Sequence, residues 1–191
     1  KYLETLPAQV AVDTALDALS HCVEGYLIQD SWATELFAER AFANFAAYKD
    51  ALYKRAFSGD ELELMLFTAT LGGIVISMAG TSAVHTIGYP LTVRKGIPHG
   101  RACAFTLGEY VAFSYDTKKE KIDRMCTLLK VNGVEGFQEM IRGLLPGKLE
   151  ISREELEQYT DISAQAAIGK KNTKPITKSD ILNIYLASLL G

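Results

Sequence analysis

Residues 7–28 read PAQVAVDTALDALSHCVEGYLI. Val12, Leu16, Leu19, Val23 and Leu27 recur at helical intervals, and Pro7 suits a first helical turn, so this stretch is predicted to be a helix with one face in a core. The same reading extends outward. Ser31 is a candidate N-cap for a second helix reaching about Arg55, with Leu36, Phe37, Phe42, Phe45 and Leu52 inward. Ser58-Gly59-Asp60 is a break, and Asp60 is read as the cap of a third helix ending near Ala79-Gly80. Thr81 or Ser82 then caps a short helix carrying His85. Gly88, Pro90, Gly96 and Pro98 predict an irregular stretch after it. Further helical segments are expected over 98–115, 118–131, 133–144 and 152–159, with a polar loop over 169–178 and a last helix over 181–190. No strand alternation, internal repeat or low-complexity tract is visible. The expectation is one all-helical, bundle-like domain over residues 1–191.

Composition narrows the function classes. Of 191 residues, 48% are apolar, and the net charge is −3, which suits a globular protein with a buried core. Lys and Arg are scattered, so no basic block marks a nucleic-acid partner. Cys22, Cys103 and Cys126 form no CxxC pair. They are read as reduced, buried, apolar residues, with a cytoplasmic setting expected. The apolar stretch 62–79 carries Glu63 and is interrupted by Gly72-Gly73, which favours a buried helix over a membrane span. The opening residues hold no signal-peptide core, and the chain starts without Met, with a pattern that looks internal. Gly72-Gly73 lies in a helix, so no glycine-rich phosphate loop of the strand–turn–helix kind is present.

The chain has three histidines. Asp17 and His21 are four apart on the predicted first helix and share a face. His85 and His99 are fourteen positions apart, each near the start of a predicted helix, and the Gly/Pro-rich bend between them can fold one toward the other. Three imidazoles and one carboxylate make a mixed nitrogen/oxygen shell, suited to Fe(II), Zn(II), Co(II) or Ni(II) rather than Ca(II) or Mg(II). An ion there with an open position can act as a Lewis acid on a carbonyl or alkoxide oxygen. Spacing alone leaves the other reading open: a surface Asp–His pair and two histidines within a core.

The motifs themselves carry a resemblance. Asp17-Ala18-Leu19-Ser20-His21-Cys22-Val23-Glu24-Gly25-Tyr26 resembles the first signature of the iron-containing alcohol dehydrogenases. His85-Thr86-Ile87-Gly88-Tyr89-Pro90-Leu91 with Pro98-His99-Gly100 resembles the second, in the same order and with the same histidine step. Leu6-Pro7, Pro175-Ile176-Thr177 and the last helix extend the likeness along the chain. The resemblance implies the helical C-terminal domain of the dehydroquinate synthase-like fold. It implies that Asp17, His21, His85 and His99 hold the metal, usually Fe(II), with Zn(II) the common exception. It implies hydride transfer between NAD or NADP and a small alcohol or aldehyde. A domain cut from its partner is expected to expose apolar surface and to self-associate as a homo-oligomer.

Two departures stand out. Some members carry a further histidine four residues after the first ligand of the second motif. Tyr89 stands there, read either as a proton relay or nicotinamide contact or as packing. The family's N-terminal nucleotide-binding α/β domain is absent, so the chain is expected to be the metal-binding half of a longer protein. Glu24 is read mainly as a helix-surface or capping residue, with a supporting role behind a ligand as the alternative. Gly100 is read as allowing close approach, Arg101 as structural, and Arg94-Lys95 as a solvated turn that could attract a cofactor phosphate. A stand-alone helical metal-binding or interaction module is the competing function. A metal hydrolase is a third, with Glu24 its one obvious base.

Overall fold

The computed structural model describes Leu3 and residues 5–191. Eight helices, and no strand among the described residues, make up the fold: α1 (Ala8–Ile28), α2 (Trp32–Lys54), α3 (Gly59–Ala79), α4 (Ala83–Lys95), α5 (His99–Leu129), α6 (Gly133–Leu144), α7 (Arg153–Ile168) and α8 (Lys178–Leu189). The all-helical expectation holds. Helix α1 is the central element, packed on α2, α3 and α5, while α4 is held between α5 and α7. The predicted stripe of α1 is the reason: Val12, Leu16, Leu19, Val23 and Leu27 are all buried. In α2, Phe42, Phe45 and Leu52 point inward as expected, but Leu36 is exposed beside the exposed Trp32. The buried apolar stripe of α2 runs instead through Ala38, Ala41, Phe42 and Phe45.

The caps differ in detail from the sequence reading. Helix α3 is capped by Ser58 rather than Asp60. The Ser58 hydroxyl accepts the Glu61 N–H at 3.3 Å, and the Glu61 carboxylate accepts the Ser58 N–H at 2.7 Å. This reciprocal pairing satisfies two otherwise orphaned donors, which Asp60 cannot do from inside the first turn. Thr177 and Asp180 form the same box at the start of α8. Helix α7 continues past 159 to Ile168. Its extension looks polar in sequence, yet Thr160 and Ser163 are buried, each hydroxyl donating to the carbonyl one turn back at 2.8 Å. Internal bonding of this kind lets polar residues occupy an inward face.

The largest correction concerns residues 88–98. Gly88 and Pro90 lie inside α4, and the irregular stretch shrinks to 96–98. Pro90 forfeits one helical hydrogen bond, but packing of α4 on both α5 and α7 overrides that local preference. The reversal is made at Gly96, whose φ of +67° is a left-handed conformation disfavoured by side-chain-bearing residues. The turn sends α5 back along α4. Segments 98–115 and 118–131 then join as one helix, kinked at Lys118 (φ −128°, ψ 28°).

Helix α3 is long and apolar enough to cross a membrane by length and composition. In the fold it is a bundle helix whose Met65, Thr68, Leu71, Gly72 and Val75 are buried. It is not the fully buried helix expected from its composition, because Leu66, Phe67 and Met78 stand exposed on its other side.

Candidate metal centre

Helix α1 contributes Asp17 and His21 one turn apart, and the first turns of α4 and α5 contribute His85 and His99. The four residues singled out by spacing meet around one atom. Asp17 Oδ1 lies 3.9 Å from His21 Nε2, 3.7 Å from His85 Nε2 and 3.7 Å from His99 Nε2. The His21 and His85 rings stack with centroids 4.7 Å apart, and those of His85 and His99 lie 5.3 Å apart. Two donors each about 2.1 Å from a shared ion can be at most about 4.2 Å apart, so each of these three separations permits one.

Two of the donor atoms have no hydrogen-bond partner in the protein. Asp17 Oδ1 and His85 Nε2 are both buried without a hydrogen bond. Such atoms cost free energy unless something fills the space between them. The same atoms are electrostatically coupled. Burial works against ionising Asp17, but the surrounding histidines outweigh it and hold the carboxyl below its ordinary range. Burial also opposes a charge on His85, yet Asp17, Cys103 and Glu24 outweigh it and raise its pKa. On His21 burial prevails over Asp17, and the pKa is lowered. Without an ion this keeps a proton on His85 beside an ionised Asp17, and a divalent cation ligated by neutral imidazoles would displace that proton.

Glu24 is placed differently from its main sequence reading. It is fully buried rather than on the helix surface. One carboxylate oxygen accepts the Ser82 N–H at 2.9 Å and the Ser82 hydroxyl at 2.6 Å, so Glu24 does cap the start of α4. Its other oxygen is hydrogen-bonded to His85 Nδ1. This fixes the ring so that Nε2 faces Asp17, as a carboxylate behind a metal-bound histidine does. No periodicity signal separates such a residue from a surface glutamate. Only the fold shows that its helix face is covered.

Cys103 was read as a buried apolar residue. It is buried, but it also borders the site, with Sγ 3.8 Å from His99 Nε2. Asp17, His85, His99 and Cys103 each offer a donor atom within 4.8 Å of the others. The step of four from His99 to Cys103 on one helix is the signal that could have found it.

Around these residues the helices are held by close contacts. Arg101 grips the buried Asp13 with two parallel bonds of 2.9 and 2.7 Å, which supports its structural reading. Gly100 allows helix approach: a Cβ there would fall 2.0 Å from the Asp13 carbonyl oxygen. Lys95 is paired with Glu155 at 2.6 Å rather than free in a turn. Tyr89 is half exposed and stacks on His99 with centroids 5.5 Å apart and planes inclined by 16°.

The chain is similar to several known proteins. Residues 11–189 match the model of the Fe-containing alcohol dehydrogenase family, C-terminal. The chain is 24% identical to a 4-hydroxybutyrate dehydrogenase of Clostridium kluyveri, covering 97% of this chain and 54% of that protein. It is 29% identical to a lactaldehyde reductase of Escherichia coli K12, over 71% of this chain and 35% of the relative. The crystal structure of an iron-containing alcohol dehydrogenase from Thermotoga maritima superposes with a TM-score of 0.87 and 29% identity, over 100% of this chain and 52% of that one. The chain thus spans about half the length of the first of these relatives and of the Thermotoga protein. By its family match, its all-helical fold and its sequence motifs, this chain belongs to the iron-containing alcohol dehydrogenase family, where it corresponds to the C-terminal domain.

Proposed function

We propose that this chain is the metal-binding half of an NAD(P)-linked alcohol dehydrogenase or aldehyde reductase, with Asp17, His21, His85 and His99 as metal ligands. The observation that carries the reading is the pair of buried, unbonded atoms, Asp17 Oδ1 and His85 Nε2, facing each other among three imidazoles. Fe(II) fits the donor set, and so does Zn(II). A bound ion of either kind supplies Lewis acidity toward the oxygen of an alcohol or aldehyde. The chain's own residues set the geometry. Glu24 orients His85, Asp17 contributes the anionic ligand, and Tyr89 stands beside His99 at the exposed edge, where it can contact a nicotinamide or relay a proton. The nucleotide site belongs to the proposed N-terminal domain, packed against this one in a longer chain.

The testing experiment is metal analysis of the purified chain after loading with Fe(II), Zn(II) or Co(II), with anomalous scattering across the iron and zinc edges. One ion per chain between Asp17 and His85 is expected, and a chain that takes up none overturns the reading. The chain alone is expected to show no NAD-linked alcohol oxidation, and robust turnover by it would reject the two-domain proposal. Hydrolysis is disfavoured because its candidate base, Glu24, is fully buried and already engaged by Ser82 and His85.

Two further outcomes follow from the same residues. Glu24→Gln keeps the shape but replaces an acceptor oxygen by a donor. It is expected to weaken metal binding by about 10- to 100-fold, read by competition with a chromogenic chelator. Wild-type affinity in this variant would show that His85 needs no carboxylate behind it. The exposed Leu66, Phe67 and Met78 side of α3 is expected to make the chain self-associate at high concentration. Light scattering should then show a lower mean mass for Phe67→Lys, and an unchanged mass would clear this face of the role.

A further inference from the structure

Cys103 stands on the same face of α5 as His99, one turn further along. Its Sγ lies 3.8 Å from His99 Nε2. With Asp17, His85 and His99 it forms a cluster whose donor atoms all fall within 4.8 Å of one another. The side chain is fully buried and is not in a disulfide. Helix α4 closes over it at Gly88, where an added Cβ would come 3.2 Å from Sγ. The sulfur is thus enclosed between α4 and α5. The same cluster holds His85, 2% exposed, with Glu24 at Nδ1 and no hydrogen-bond partner at Nε2.

We propose that Cys103 is a further metal ligand, binding as the thiolate through Sγ, and that its sulfur turns the site toward Zn(II). The inference rests on the metal site proposed above. The distance permits it. A sulfur about 2.3 Å and an imidazole nitrogen about 2.1 Å from one zinc ion stand about 3.6 Å apart in a tetrahedral shell and at most about 4.4 Å apart in any shell. The observed 3.8 Å lies between these limits. Competition for His99 argues the same way. Its Nε2 cannot accept a hydrogen bond from the thiol and ligate an ion at once. An ion at Nε2 therefore leaves the enclosed sulfur to find another partner, and the ion itself is within reach. Coordination releases the thiol proton to solvent. Zinc accepts five ligands as well as four, so the thiolate adds to the proposed set without replacing a member. Thiolate donors favour Zn(II) over harder ions such as Mn(II), which prefer oxygen.

The test loads the full chain with Co(II), a stand-in for zinc whose bonds to thiolate give an intense near-ultraviolet charge-transfer band. The wild type is expected to show that band at one Co(II) per chain. Cys103→Ala should still take up one Co(II), through nitrogen and oxygen donors, and lose the band. Cys22→Ala, which removes the buried thiol of α1, should keep it. Loss of a direct ligand should weaken Zn(II) binding by at least about tenfold, the lower bound for a residue that only supports one. Mn(II) binding should fall by less, both being read by competition with a chromogenic chelator. Zinc-edge X-ray absorption of the wild type gives a second reading that needs no variant: one sulfur at about 2.3 Å beside lighter donors at about 2.0–2.2 Å. A wild-type chain holding one Co(II) without the charge-transfer band, a band that survives Cys103→Ala, equal losses of zinc and manganese affinity in that variant, or a zinc shell without sulfur overturns this inference and leaves the proposed function standing. A chain that takes up neither Co(II) nor Zn(II) overturns both.

Discussion

His85→Ala is expected to leave the chain without stoichiometric metal. His85 is the most enclosed of the three histidines, 2% exposed, and its Nε2 has no partner but the proposed ion. Removing the ring deletes one donor and also strips Glu24 of its partner at Nδ1. A buried carboxylate losing a partner costs about 3–5 kcal/mol where nothing replaces it. The Ser82 contacts remain, so the loss in stability should fall toward the lower end of that range. His85→Gln, which can still hydrogen-bond Glu24, separates the two effects: stability should largely return while metal does not. Elemental analysis of both variants decides the matter. Unchanged metal content in either would remove His85 from the ligand set and direct attention to Cys103. Acidification should release metal from the wild type as well, because protons compete for the same imidazoles and carboxylate.

Gly100→Ala should be the most damaging of the single-methyl changes. The added Cβ would sit 2.0 Å from the Asp13 carbonyl oxygen and 2.7 Å from Asp17 Cβ. The first of these is backbone inside α1, and Asp13 is further held by Arg101 and by Gln9 at 3.0 Å. No rotamer change can relieve the contact, so α1 and α5 must separate. Overpacking of this kind costs about 1–3 kcal/mol and occasionally more, or a melting temperature lower by roughly 2–12 °C for a chain of this size. The same displacement moves His99 away from Asp17, so metal affinity should fall with stability. Gly73→Ala is the matched control. It lies in α3 with nothing within 4 Å of an added Cβ, and should stabilise the chain by about 0.5–1 kcal/mol. A Gly100→Ala chain that melts with the wild type would show that the helices yield without cost.

Both predictions turn on residues whose sequence signals differed. His85 was legible because histidine is scarce in this chain and its motif is specific. Gly100 was legible as a point of close approach, but not as to which backbone approaches it. Glu24 and Cys103 show the limit more sharply. Each lies on a helix that was correctly anticipated, and each sits at the right spacing to face the site. A helical wheel, however, does not say which face another helix will cover. The misplaced caps have a local cause, since Ser58 and Asp60 both suit an N-terminus and only the hydrogen-bond pairing with Glu61 selects between them. The reading of 88–98 failed for a tertiary reason: Pro90 and Gly88 argue against a helix in isolation, and packing on α5 and α7 overrules them.

Residues 7–28, where the reading began, divide the two contributions. Their periodicity alone determined that the segment is a helix, that Val12, Leu16, Leu19, Val23 and Leu27 face a core, and that Asp17 and His21 share a face. Those properties depend on intervals of three and four residues, which are written directly in the chain. Tertiary structure alone decided that Asp17 Oδ1 lies within 4 Å of three imidazoles, and that Glu24 on the same helix is sealed behind His85. Those depend on how closely α1, α4 and α5 approach, which is set by contacts between residues far apart in sequence, such as Gly100 against Asp13.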